Sequence, residues 1–345
     1  ASEGLAAVRR AVRIDEGLFE AHRVLCELCM AGGDAAGALE AVESALAARP
    51  GDAQSLFDKG CVLVALGKPR DAVAPLETAI KSGGLPEEVL ADAREAYTGA
   101  LTAAAAAAVE ASSHREAVSL LERAVEATPT AEVQIALADA CVAGGQLDKA
   151  LAVYDDVLEH HPGSFQAAAG RGRVQMRLGN FDDAVQALRK ARAMNNLDPD
   201  IQADLGLALV RTGELKKAER MFNGALELRS GHPGAKAGLA ELEAAKKAAK
   251  GAAASARHVQ GGQRMLAEGK FKEAVNEFDT AVGQGADDVD VHVGRATALA
   301  AIQEHAKAVD AWEMALARVG RGGAGGGDLG VQKTTIEIQL GRAHS

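Results

Sequence analysis

GRVQMRLGNFDDAVQALRKA at residues 172–191 and GLALVRTGELKKAERMFNGAL at 206–226 carry one pattern, offset by 34 residues. In each, a glycine-containing turn is followed by an alanine, a large apolar residue four positions on and a small one seven positions on. Working outward, Ala38, Ala72, Ala117, Ala150, Ala184, Ala218, Ala274 and Ala308 occupy the same place, separated by 34, 45, 33, 34, 34, 56 and 34 residues. The large residues are Val42, Leu76, Leu121, Tyr154, Leu188, Phe222, Phe278 and Trp312. The small ones are Ala45, Ala79, Ala124, Val157, Ala191, Ala225, Ala281 and Ala315. Offsets of four and seven place three side chains on one face of a helix. A fixed period sustained eight times decides the fold before any single motif does.

Twelve residues before the anchoring alanine, Gly60, Gly172, Gly206 and Gly262 recur, and Pro50, Pro129 and Pro162 stop the second helix. This register resembles the tetratricopeptide repeat, a helix–turn–helix unit of 34 residues. The resemblance implies an all-α, right-handed superhelical solenoid. Its consensus glycine and alanines let paired helices approach closely, and the large residue between them fills the space against the next unit.

Six units run over 19–52, 53–86, 87–130, 131–164, 165–198 and 199–232, and two more over 255–288 and 289–322. Residues 1–18 align with a second helix that lacks its first, and 334–345 with a first helix that lacks its second. Arrays usually close with polar capping helices, so the expectation is a piece of a longer protein. The third unit is elongated, and its first helix is predicted from Pro86 to about Ser112 through an alanine run. That length suggests a helix projecting from the solenoid, either to meet a partner or as a tolerated extension. Residues 233–254 read as an extra helix or linker with basic Lys246, Lys247 and Lys250 at its end, broken at Gly251 before the second array. Residues 323–333 read as a glycine-rich linker.

Composition agrees with an all-helical array. Aromatic residues are 3% of the 345, and the chain is rich in alanine, which favours helices over strands. A net charge of −10 argues against a broad grip on nucleic acid or an anionic membrane. No run of about 18 apolar residues occurs to span a bilayer. Four cysteines are too few for a disulfide framework and suit a reducing, cytoplasmic setting.

Chemistry-bearing motifs are scarce. Cys26 and Cys29 form a CxxC with His22 one turn earlier, a spacing that could hold a metal or a redox pair. Both cysteines also fall in slots where a repeat helix needs compact buried residues, and no second ligand pair follows, so core packing is the expectation. His160 and His161 sit where a helix C-terminus is capped. The glycines of 318–330 lack the strand and the GK[ST] of a phosphate loop, and no GxSxG, HExxH or kinase set is present. The expectation is no catalytic residue, cofactor or metal.

In the family it resembles, the first helix of each unit lines a concave surface that binds partner proteins. Here those positions carry Phe57 and Val64, Ile135 and Val142, Arg173, Met176 and Arg177, Leu207, Val210 and Arg211, Val259 and Leu266, and Val293. Ile135, Val142, Arg173, Met176, Arg177, Leu207, Val210 and Arg211 are the predicted partner-binding residues: an apolar strip with a basic centre. Arginines there could hold the carboxylates of an apolar, partly acidic segment. Alternatively, they pair with neighbouring acids such as Asp139 and Asp204. The expected function is a non-catalytic scaffold in a multi-protein assembly, with ciliary transport among the candidate systems. A substrate-recruiting arm of a larger enzyme, such as a glycosyltransferase, is the runner-up. A co-chaperone clamp is a third reading, disfavoured because none of Asn180, Asn195, Asn196, Asn223 and Asn276 lies on a first helix.

Overall fold

A computed structural model describes residues 2–15 and 18–319, with isolated positions at 337 and 339. The glycine-rich linker predicted at 323–333 and most of the truncated helix predicted at 334–345 lie outside the described residues. Seventeen α-helices and no strand are found among the described residues, so the chain is an all-α helical repeat solenoid. It divides into two compact units, Ala1–Glu214 with Arg220–Ala235, and Leu215–Glu219 with Lys236–Ser345.

In the first unit α1 spans Ser2–Ile14. It is followed by pairs: α2 (Phe19–Ala31) with α3 (Ala35–Ala48), α4 (Ala53–Ala65) with α5 (Pro69–Lys81), and α6 (Glu87–Glu110) with α7 (His114–Ala127). Next come α8 (Ala131–Ala143) with α9 (Leu147–His160), α10 (Phe165–Leu178) with α11 (Phe181–Met194), and α12 (Pro199–Arg211) with α13 (Leu215–Leu228), which belongs to this unit from Arg220 onward. Asp52, Thr130, Ser164 and Asp198 start first helices by accepting hydrogen bonds from backbone N–H groups of the opening turn.

The repeating triplet builds the core. All eight anchoring alanines, all eight large residues and all eight small residues are buried. The glycines explain how the helices fit. A Cβ on Gly60, Gly172 or Gly206 would lie 2.3, 2.6 or 2.5 Å from the side chain of Leu76, Leu188 or Phe222, the large residue of its own repeat. Tyr154 instead reaches forward, and a Cβ on Gly170 of the next repeat would sit 2.4 Å from its ring. The large residue is therefore a wedge received by bare backbone, the close approach that glycine alone allows.

A second rule sits five residues before each anchor. Gly33, Gly67, Gly145, Gly179, Gly213 and Gly269 have positive φ there, and so do Ser112 (φ 58°) and Gln303 (φ 64°). Each turn between paired helices needs one left-handed residue, which glycine supplies with least strain.

α6 spans the predicted length, and its alanine run is covered on one side only, with Ala103, Ala106 and Ala107 exposed. Ala104, Ala105 and Ala108 are buried, whereas Glu87, Glu88, Ala91 and Asp92 in the opening turns are exposed.

The second unit contains most of α14 (Pro233–Ala267), with α15 (Phe271–Gly283), α16 (Val289–Ala301) and α17 (His305–Val319). The expected break at Gly251 is absent: α14 runs through it for 35 residues without interruption. One helical glycine costs about 1 kcal/mol relative to alanine, and the flanking stretch of alanine and lysine supplies strong helix formers on both sides. Phe278 plays the wedge in this unit twice over: a Cβ on Gly262 would lie 2.9 Å from its ring, and one on Gly294 2.5 Å.

Candidate functional site

Three first helices of the first unit, α8, α10 and α12, stand beside one another. Their opening turns are fixed by Thr130, Ser164 and Asp198, whose side chains accept from the N–H groups of Val133, Ala167 and Ile201. Between the helices lies a cleft of about 300 Å³ lined by Ile135 and Asp139 of α8, Phe165, Gln166 and Arg173 of α10, and Asp198, among others. Ile201, Ala169 and Gly170 add apolar lining, and Glu132 a further carboxylate. The volume is at the lower end of the range for ligand pockets.

Its electrostatics are set by partners inside the protein. Arg173 Nε donates to Asp204 Oδ2 at 2.6 Å. Burial opposes the Arg173 charge, but the carboxylates of Asp204, Asp198 and Asp200 outweigh it and hold its pKa above the ordinary value. Burial in turn pushes the Asp204 carboxyl upward against the pull of Arg173. The buried Tyr154 hydroxyl donates to Asp139 Oδ1, and burial followed by that carboxylate raises its pKa. Asp198 Oδ1 accepts from both the Asp200 and Ile201 N–H groups.

Of the predicted partner-binding residues, Ile135 and Arg173 come together in this cleft. Arg177 donates from Nη1 to the Val142 carbonyl oxygen at 2.8 Å, with the Val142 side chain half-buried. Met176 and Leu207 are half-buried, Arg211 is exposed, and none of the three lines the cleft. Val210 differs from the expectation of an exposed strip residue: it is 8% exposed and belongs to the core. The basic centre is thus internally engaged at Arg173, as the pairing account with Asp204 requires, while Asp139 serves Tyr154 rather than an arginine.

Glu132, Asp139 and Gln166 occupy the same first-helix steps as the predicted residues, so the family register pointed at them. Being acidic or neutral polar, they fall outside an apolar strip with a basic centre. Asp198 and Phe165 lie at helix starts, where a capping or packing role hides a surface role.

Elsewhere, Cys26 and Cys29 are buried and pack with Ala38, Ala41, Val42 and Val62. Burial, then Asp58, pushes the Cys26 thiol up to about 12. No group of three or more His, Cys, Asp or Glu is placed to hold a metal among the described residues. His160 Nδ1 lies 2.9 Å from the Asp156 carbonyl oxygen in the last turn of α9, and His161 ends that helix.

The sequence profile of the tetratricopeptide repeat matches residues 102–165, 135–199, 169–233 and 259–324. The chain belongs to the tetratricopeptide repeat family. Proteins of this family bind other proteins or peptides on a repeat scaffold. No curated protein matches the chain. Among solved structures, it is similar to a tetratricopeptide repeat protein from Parabacteroides merdae ATCC 43184, at 17% identity and TM-score 0.45, over 85% of this chain and 99% of that one. It is also similar to YrrB, described as a tetratricopeptide repeat protein with an unusual peptide-binding site. That match has 18% identity and TM-score 0.44, over 57% and 96% of the two chains. A thermophilic tetratricopeptide repeat protein from Thermus thermophilus matches at 24% identity and TM-score 0.38, over 55% and 98%. No helix among the described residues is long and apolar enough to cross a membrane.

Proposed function

We propose that this tetratricopeptide repeat chain is a non-catalytic scaffold that holds a segment of a partner protein against its first helices. The observation that carries the reading is the cleft between α8, α10 and α12, where apolar floor and charged rim occur together on three N-capped first helices. A surface of that kind suits a partner segment, because apolar and charged residues of three successive first helices line it together. Apolar contacts supply most of the affinity and the rim sets register.

The test is affinity purification of the native protein from its own cells, comparing wild type with Gln166→Trp. Gln166 is exposed at the cleft, so an indole there fills the space without entering the core. The expected result is loss of one or more stoichiometric partners with helical circular dichroism unchanged. The same partners at the same stoichiometry would refute the reading. The proteins recovered also name the assembly, ciliary transport among the candidates.

A further inference from the structure

Arginine-rich grooves select acidic partners, and the sequence pattern invites that assignment here. The charges on the cleft add up differently. Three carboxylates line it, Glu132, Asp139 and Asp198, against the single guanidinium of Arg173. That guanidinium already has a carboxylate of its own, Asp204 at 2.6 Å. Arg173 therefore adds little net positive charge, and the carboxylates define the local field. Their hydrogen-bonding capacity is only part used. Tyr154 takes Oδ1 of Asp139, and the two N–H bonds at the start of α12 fall on Oδ1 of Asp198. A carboxylate offers about four acceptor sites on its two oxygens, so both of these lining residues keep acceptor capacity. Beneath them Ile135, Phe165, Ile201 and Ala169 form an apolar lining. A recess with aliphatic and aromatic walls and a carboxylate rim matches a long alkyl stem that ends in a cation.

We infer that the cleft between α8, α10 and α12 receives a lysine or arginine side chain from an otherwise apolar partner segment. This rests on the proposed groove function and makes its chemistry specific. The stem packs along Ile135 and Phe165, and the charged head meets Glu132, Asp139 and Asp198. An acidic segment would instead bring a carboxylate toward three others, with Arg173 already engaged. Like charges brought together with partial desolvation disfavour that partner.

The experiment is selection of random dodecapeptides displayed on phage against the full native chain, against Gln166→Trp, and against the double variant Glu132→Gln, Asp139→Asn. Both replacements in the double variant are isosteric, and the new amide at position 139 keeps an acceptor for Tyr154. The expected result is a peptide family with lysine or arginine fixed at one position among apolar residues. The family should be lost with Gln166→Trp, and its basic preference lost in the double variant. In a synthetic member, lysine to norleucine at that position should weaken binding at least about tenfold on the wild-type chain, and to glutamate more. This peptide-side change tests the contact even if the double variant misfolds. A family that depends on Gln166 but lacks a basic position, or is enriched in Asp and Glu, overturns the inference and leaves the groove function standing. Failure of the wild type to select any family that Gln166→Trp loses overturns the groove function and the inference with it.

Discussion

Gly206→Ala and Gly251→Ala are the same chemical change, yet Gly206→Ala should leave the protein clearly the less stable of the two. Both glycines are inside helices, α12 and α14, so each alanine returns about 1 kcal/mol of helix propensity. Around Gly251 a new methyl group meets nothing within 4 Å, so that gain is kept. At Gly206 the methyl would lie 2.5 Å from Phe222 Cε1, 2.8 Å from Cδ1 and 2.9 Å from Cζ. Ordinary contact begins near 3.4 Å, so the ring must retreat by about 1 Å. It has nowhere to go, because Phe222 is fully buried between helices. Overpacking a filled core costs about 1–3 kcal/mol. The propensity term cancels in the comparison, so the two variants should differ by about 1–3 kcal/mol, with Gly251→Ala the more stable. Because repeat arrays can open locally, amide hydrogen exchange of α12 and of α14 is the direct assay. Trimming the wedge in Gly206→Ala, Phe222→Leu should recover part of the loss, seen as a coupling of about 1 kcal/mol in a double-mutant cycle. If Gly206→Ala equals or exceeds Gly251→Ala in local stability, the wedge-and-glycine account of the repeat is wrong.

Ser112 and Gln303 hold the left-handed turn position that glycine fills in the other six repeats. Ser112→Gly and Gln303→Gly should each stabilise by up to about 1 kcal/mol, read as a rise in the thermal midpoint, and a fall would argue against strain at those turns. Burial pushes the Cys26 thiol up to about 12 and the Cys61 thiol up to about 11. At pH 8 only about one in ten thousand and one in a thousand would be thiolate. Ellman's reagent should therefore label all four cysteines in guanidinium but react slowly at these two in the folded protein, and fast native labelling of Cys26 would contradict its burial. His232 caps α14 by accepting from the Ala235 N–H and meets Asp200 Oδ1 at 2.7 Å, and that hydrogen bond, then Arg229, holds the Asp200 carboxyl below its ordinary range. Its folded pKa is depressed, so the stabilisation is present above about pH 3.9 and lost as pH falls through the folded value. Asp200→Asn should flatten that acid limb in melts, and an unchanged limb would remove Asp200 from the account. Tyr154→Phe should keep the ring against Gly170 while removing the hydroxyl from Asp139. A loss near 1 kcal/mol is expected, and a cycle with Asp139→Ala, which leaves the hydroxyl no acceptor, should show the two changes are not additive.

The helices were legible because the information defining them is local and repeated. Ala184, Leu188 and Ala191 share a face by spacing alone, and the same triplet eight times leaves one fold. Gly251 misled because a single glycine is weak evidence against a helix when lysine and alanine surround it. The turn rule at Ser112 and Gln303 was present in the sequence as a column of six glycines, but a left-handed φ in a serine or glutamine leaves no compositional mark. The cleft was half legible. Ile135 and Arg173 follow from register, whereas Val210, beside Arg211 on the same helix, turns inward because packing rather than spacing fixes which edge of the strip is covered. The destination of a guanidinium depends on a residue 31 positions away, Asp204 for Arg173, and periodicity offers both Asp139 and Asp204 without choosing.

The core and the candidate site meet in Tyr154. As the large residue of its repeat it occupies the wedge position, and its ring fills the space that a side chain on Gly170 would need. The hydroxyl is at the same end of the ring, 2.7 Å from where a Gly170 Cβ would stand, and it holds Asp139 on the cleft. In most repeats the wedge is Val, Leu or Phe and ends in hydrocarbon, so it stabilises the stack and says nothing to the surface. Here the stacking contact also orients a carboxylate, and burial of the ring raises the hydroxyl's pKa and keeps it a donor. Gly170 lets α10 approach that ring closely enough for Ala169 and Arg173 to form the opposite wall. A substitution that loosens the fit between the fourth and fifth repeats would thus disturb the cleft even without touching a residue that lines it. Positions that look purely structural in the repeat register, Tyr154 and Gly170, are the ones that fix the distance between the two walls.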